Sequence, residues 1–303
     1  MNVRLRVPLA SLALSALLLG CTSAGQETEG GTDGEGDASS GAGAPEAREE
    51  PEPEWNTEPA SIAAMGDSIT RGFDACSLLA DCPEVSWATG TDDEVDSLAR
   101  QLLGAEAVAD SSWNVAESGA VMADLPAQAV EAVARGPELV TVLIGGNDAC
   151  ATDVSEMTPV AEFRADFTET LAVLREGLPE SGVYVSSVPD LERLWSEGRG
   201  SMLARTVWTL ANICPSMLAD ADEQGDEATA RRGEVSERVR AYNEALSEVC
   251  AADVLCRYDG GAVYDYDFTR DHISDWDWFH PNREGQSTLA ALAYEEVTRD
   301  PVE

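Results

Sequence analysis

The chain has 303 residues, 44% of them hydrophobic and 25% charged, which suits one large α/β domain or two small ones. Its 57 acidic residues outnumber 19 basic ones, every one of them Arg, and the net charge is −38. Such a surface argues against nucleic-acid binding and against an electrostatic anchor on anionic lipid, since both need basic side chains. It suits a salt-rich medium that screens self-repulsion, and Arg without Lys fits a codon-biased genome equally well.

In chain order, Arg4 and Arg6 precede an apolar run from Val7 to Leu19, which closes on Leu18-Leu19-Gly20-Cys21. The run is short for a membrane span and reads as an export signal over 1–20. Its ending resembles a bacterial lipoprotein signal, in which Cys21 is lipidated and becomes the new N-terminus. A plain secretory signal with a chance Cys is the other reading. Residues 21–58 are rich in Gly, Ala, Ser, Thr, Pro and Glu, with Trp55 the only aromatic and Arg48 the only base. They bury too little apolar surface to offset ordering entropy, so a disordered acidic tether is expected. The domain is expected over 59–300.

From Ser61 onward, short apolar runs alternate with amphipathic ones. Strands are predicted at Ser61–Met65, Trp113–Ala116, Leu139–Ile144, Val183–Val188 and Val254–Arg257. Helices are predicted at Asp93–Leu103, Leu125–Ala134, Ala161–Gly177, Gly233–Cys250 and Arg283–Thr298. In the third helix Phe163, Phe167, Leu171 and Leu174 form one stripe. This alternation predicts a parallel sheet with helices on both faces, where ligands bind beyond the carboxyl ends of the strands. The stretch Leu191 to Met217, with Trp195, Met202, Leu203, Trp208 and Leu210, reads either as packing onto the sheet or as an acyl-binding wall.

Of seven Cys, six lie beyond Cys21. An even number in an exported chain predicts disulfides. Cys76 with Cys82 and Cys250 with Cys256 are near in sequence, which leaves Cys150 with Cys214. No metal site is expected: His is scarce, no CxxC occurs, and the calcium-loop-like start at Asp220 has Arg231 where a bidentate Glu is needed. Residues Asp220 to Glu227 read as an acidic surface loop.

Four short blocks fall at predicted strand ends or loops on one rim: Gly66-Asp67-Ser68, Glu117-Ser118-Gly119, Gly145-Gly146-Asn147-Asp148 and Asp277-Trp278-Phe279-His280. Each alone is a common turn. Together they supply a hydroxyl nucleophile in Ser68, a base of near-neutral pKa in His280, and an acid to fix its tautomer in Asp277. The N–H groups of Ser68 and Gly119 and the Asn147 amide can face an oxyanion; Gly119 is expected to allow close backbone approach. Asp275, five residues before His280, is a rival orienter, and the three-residue spacing favours Asp277. His272, the other His, reads as a solvent-exposed loop residue.

These blocks resemble the GDSL, or SGNH, hydrolases. Ser86-Trp87-Ala88-Thr89-Gly90, Asp124-Leu125-Pro126 and Cys150 further resemble the phospholipase B-like branch. The resemblance implies a three-layer α/β/α, flavodoxin-like fold with a parallel central sheet. It also implies an acyl-enzyme route through Ser68, with Asp277 and His280 as the remaining pair, Gly119 and Asn147 as oxyanion donors, and no cofactor. The expectation is a monomeric, exported, lipid-anchored esterase or lipase acting on small-molecule or lipid esters, held to the membrane through Cys21 and binding no nucleic acid. The alternative is a non-catalytic surface lipoprotein that binds a ligand.

Overall fold

The computed structural model describes residues 53–300. The leader expected at 1–20, Cys21 and most of the tether expected at 21–58 lie outside the described residues. Five strands form one sheet: β1 (Ile62–Gly66), β2 (Ser112–Asn114), β3 (Leu139–Leu143), β4 (Gly182–Val185) and β5 (Cys256–Tyr258). Their order is β2-β1-β3-β4-β5 and every pair is parallel. The three inner strands are buried along their whole length, as their mainly apolar sequences lead one to expect, while the two edges are half-buried.

Strand residues alternate between two cores. Ala63, Met65, Val140, Val142, Val183 and Val185 face one, and Ile62, Ala64, Leu139, Leu143 and Tyr184 face the other. Seven helices of six residues or more are α1 (Leu98–Leu103), α2 (Leu125–Val133), α3 (Val160–Gly177), α4 (Leu191–Gly198), α5 (Met202–Leu210), α6 (Asp226–Cys250) and α7 (Arg283–Val297). The stripe Phe163, Phe167, Leu171 and Leu174 of α3 joins the first core with α2 and α6, and α1 and α7 cover the second. The result is the expected three-layer α/β/α fold.

Several boundaries move for local reasons. The first predicted helix begins at Leu98 rather than Asp93, because Ser97 Oγ accepts the Arg100 N–H and donates to the Gly90 carbonyl. α6 begins at Asp226, not Gly233: Asp226 and Glu227 suit the positive end of its dipole, and buried Val235 and Val239 hold Gly233 in the helix. α4 and α5 occupy the stretch 191–217, for which the sequence pattern assigned no helices. Packing also starts earlier than the expected domain boundary. The Trp55 indole N–H donates to the Val297 carbonyl at 2.9 Å, Arg257 lies 4.4 Å over its ring, and the ring rests on Gly182.

Cys76–Cys82, Cys150–Cys214 and Cys250–Cys256 are the three disulfides. Loop entropy assigns about 4 kcal/mol to the 64-residue separation of Cys150–Cys214 and about 2 kcal/mol to each short bridge. Among the described residues no helix is long and apolar enough to cross a membrane.

The order in which strands are added reverses between β1 and β3. β1 continues to β2 on one side, and β3 to β4 on the other. Ligands of open parallel sheets bind above such a switch point.

Candidate active site

β1 ends at Gly66 with φ +142°, where a Cβ would sit 2.2 Å from the Leu143 carbonyl oxygen of β3. Only glycine lets the chain turn that tightly. Gln128 of α2 accepts the Gly66 N–H at 2.8 Å and donates to its carbonyl at 2.9 Å. Gln286 of α7 donates to the Ile69 carbonyl at 2.9 Å and accepts the Trp87 N–H at 2.8 Å. Two buried amides from opposite faces of the sheet therefore grip the backbone on either side of Ser68.

Ser68 Oγ lies 2.8 Å from His280 Nε2. His280 Nδ1 pairs with Asp277 Oδ2, and Asp277 Oδ1 accepts the Phe279 and His280 N–H groups at 2.9 and 3.0 Å. With Nδ1 protonated towards Asp277, Nε2 is left to accept the Ser68 hydroxyl proton. Burial opposes charge on His280, yet Asp277 outweighs it and raises the imidazole pKa. Burial likewise works against the Asp277 anion. The His280 bond and charge and the two backbone N–H groups overcome that and hold its carboxyl below the usual range.

The rival orienter is elsewhere: Asp275 pairs with Arg270 and its side chain is 90% exposed. The loop around Asp277 is stitched by Ser274 N–H to the His280 carbonyl at 2.8 Å and by an antiparallel bridge between Ile273 and Pro281. Asn282 caps α7 through Gly285 and donates to the Asp271 and Ile273 carbonyls at 2.8 and 3.2 Å.

The Asn147 amide donates to the Ala120 carbonyl at 2.9 Å, which uses one of its two N–H groups. The Gly119 loop is thus tied to Asn147 at one end and, through Glu117 N–H to the Gly66 carbonyl at 3.1 Å, to the strand before Ser68 at the other. Among the described residues, neither the Ser68 nor the Gly119 N–H donates to a protein acceptor. The expected reason for Gly119 is corrected: a Cβ there would meet nothing within 4 Å, and what demands glycine is its φ of +88°. Cys150, bridged to Cys214, anchors the Asn147 turn.

Beside Ser68 and Asn147 opens an apolar cavity of about 60 Å³, lined among others by Leu191, Leu194, Phe268, Ile273 and Phe279. Leu191 and Leu194 of the stretch 191–217 line the cavity and also pack on the first core. Trp208 and Met217 pack into the core, while Met202, Leu203 and Leu210 are exposed. His272 is corrected from exposed to half-buried: it lines the cavity, and its Nδ1 accepts the Thr269 N–H at 3.1 Å. Asp67 also lines it, its carboxyl pushed up to about 6 by burial. Buried Asp148 accepts the Met122 N–H at 3.0 Å, and its burial raises its pKa too.

Gln128 and Gln286 were not singled out by sequence reasoning. A signal existed: each falls on the apolar stripe of its helix, with Leu125, Ala129 and Ala132 in α2 and Leu289, Ala290 and Ala293 in α7. Cys76, Cys82 and Glu84 are grouped like metal ligands, but the two sulfurs are joined to each other.

Residues 62–293, which include all four blocks, match the family model of GDSL-like lipases and acylhydrolases. The chain belongs to that family. It is similar to the membrane-associated phospholipase B1 of Rattus norvegicus, at 26% identity over 65% of this chain and 16% of that protein. It is similar to the Homo sapiens protein of the same name at 30% identity, over 47% of this chain and 12% of that protein. The chain therefore spans about a sixth or less of the length of these curated relatives. Solved structures to which the chain is similar include TesA, with TM-score 0.46, 16% identity and 78% and 97% of the two chains covered. Another is a family two carbohydrate esterase from Clostridium thermocellum in complex with cellohexaose, with TM-score 0.49, 15% identity and 78% and 63% covered.

Proposed function

We propose that this GDSL-family chain is an exported, lipid-anchored serine esterase that hydrolyses carboxylic esters through an acyl-enzyme. The observation that carries the reading is the unbroken path from Ser68 Oγ through His280 to Asp277, opening beside an apolar cavity.

Ser68 Oγ attacks the ester carbonyl carbon as its proton passes to His280 Nε2. The carbonyl oxygen becomes an oxyanion facing the free N–H groups of Ser68 and Gly119 and the second N–H of Asn147. When the C–O bond breaks, His280 returns the proton to the departing alcohol and the acyl group stays on Ser68. Water then attacks that ester with His280 as base, and the acid leaves. Asp277 holds the imidazole in the required tautomer and balances the imidazolium.

The acyl group enters the cavity. At about 60 Å³ it is well below the ~150 Å³ of an engineered cavity that takes benzene. Short acyl groups fit it without rearrangement, so short-chain esters are the favoured substrates ahead of long-chain lipids. Export and anchoring rest on Arg4, Arg6, the Val7–Leu19 run and Cys21, and three disulfides suit an oxidising compartment.

The test is fluorophosphonate labelling alongside hydrolysis of p-nitrophenyl esters from acetate to palmitate. Label is expected on Ser68, with acetate and butyrate cleaved fastest and Ser68→Ala losing at least 10³-fold in turnover. A folded protein that takes no label returns the ligand-binding alternative.

A further inference from the structure

Asp74 follows Phe73, whose ring centroid lies 5.0 Å from that of His280, and is 1% exposed. Its φ of +55° is left-handed, a conformation that Asp tolerates better than most residues. Its backbone is fixed on both sides. The N–H donates to the Ala80 carbonyl at 3.0 Å, and the carbonyl accepts the Ser274 hydroxyl at 2.7 Å. Ser274 in turn donates its N–H to the His280 carbonyl. The Asp74 backbone is thereby built into the support of the His280 loop.

Its carboxyl is less well provided for. Oδ1 accepts the Leu79 N–H. Oδ2 is buried and, among the described residues, meets no N–H or O–H donor. Ser274, which bonds both the Asp74 and the His280 carbonyls, sets this carboxyl beside the Asp277 loop, and Asp277 raises its pKa by charge and by a shared side-chain hydrogen bond. Two ionised carboxylates so placed repel, whereas one proton between them turns repulsion into a hydrogen bond. Donor counting locates the proton. Asp277 accepts from three donors, the Phe279 N–H, the His280 N–H and His280 Nδ1. Asp74 accepts from one. The anion belongs where the donors are.

We propose that Asp74 is a neutral carboxylic acid whose O–H donates to Asp277, a positioning residue that extends the Ser68–His280–Asp277 path by a fourth member. Burial and the nearby Asp277 charge both raise the Asp74 pKa, while Asp277 is held low. The groups that face Asp74 electrostatically are Asp277 and His280, and those that face His280 are Asp277, Asp67 and Asp74. A donated O–H draws charge from Asp277 and weakens its hold on the His280 proton. His280 then reaches its neutral, working form at a lower pH than beside a bare carboxylate.

Infrared difference spectroscopy of the whole protein at neutral pH tests the proton directly. The carboxylic-acid carbonyl band is expected in the wild type and lost in Asp74→Asn. A second readout rests on the proposed esterase activity: the pH profile of kcat/KM. Activity falls as His280 becomes protonated. Asn still donates an N–H to Asp277, so Asp74→Asn keeps the acid limb in place. Asp74→Ala lacks the donor and moves the limb up by about one pH unit, about tenfold in rate at a fixed pH on the limb. No band lost in Asp74→Asn, or an unmoved limb in Asp74→Ala, overturns the assignment. A wild type that cleaves no ester but shows the band defeats the function and leaves the proton where it is proposed.

Discussion

Ser68 and His280 meet at 2.8 Å, yet their supports differ in kind. Ser68 stands two residues past a fully buried central strand, its backbone gripped by Gln128 from one helical layer and Gln286 from the other. His280 hangs from a loop that contributes one antiparallel bridge and is shaped by contacts of its own. Within it Trp278 holds a φ of +58°, with the Arg270 guanidinium 3.8 Å over its ring and the Trp208 indole N–H on its carbonyl at 3.2 Å. Left-handed backbone at a bulky residue costs about 1–3 kcal/mol and persists only where neighbours over-determine it. The proposed nucleophile is thus part of the scaffold, and the proposed base is aligned by its surroundings. Damage to the supports of Ser68 should cost stability, and damage to those of His280 should cost rate.

The sharpest break of that contrast is Asp277→Asn. Loss of the required tautomer is expected to lower kcat by about 10⁴-fold, with a thermal midpoint near that of the wild type. A loss under tenfold would mean that the loop orients His280 without Asp277. Asn147→Ala comes next, at about 100-fold in kcat with KM little changed. An equal rise in KM instead would assign Asn147 to ground-state binding. Smallest in rate and largest in stability are Gln128→Leu and Gln286→Leu. Each removes the side-chain acceptor of a buried backbone N–H, that of Gly66 or of Trp87, at about 1–3 kcal/mol in a denaturant titration. If either loses turnover with its unfolding midpoint unmoved, the amides belong to alignment and the division drawn between the two supports fails.

The same division tracks what could be read from the residues alone. β1, β3 and β4 were legible because inner parallel strands are mainly apolar. Ser68, Asn147, Asp277 and His280 were legible because their chemistry restricts residue type, and Asp277 won over Asp275 by spacing. The supports were not. Gln128 and Gln286 look like ordinary helix residues, and their backbone partners lie 62 and 217 positions away. His272 looked like a surface residue because Phe268 and Ile273, which shape the cavity beside it, join the site only through tertiary packing. α4 and α5 escaped notice because their apolar residues divide between core, cavity and solvent, which blurs the helical period.

Trp55 carries one more consequence. It rests on Gly182 and near Leu139, the first residues of β4 and β3, whereas Ser68 and Asn147 follow the last residues of β1 and β3. A five-residue strand spans about 16 Å. The chain therefore enters at the base of the sheet, and the mouth of the cavity opens at the opposite pole. A label placed on exposed Glu54 would therefore sit at that far pole and leave the opening unobstructed.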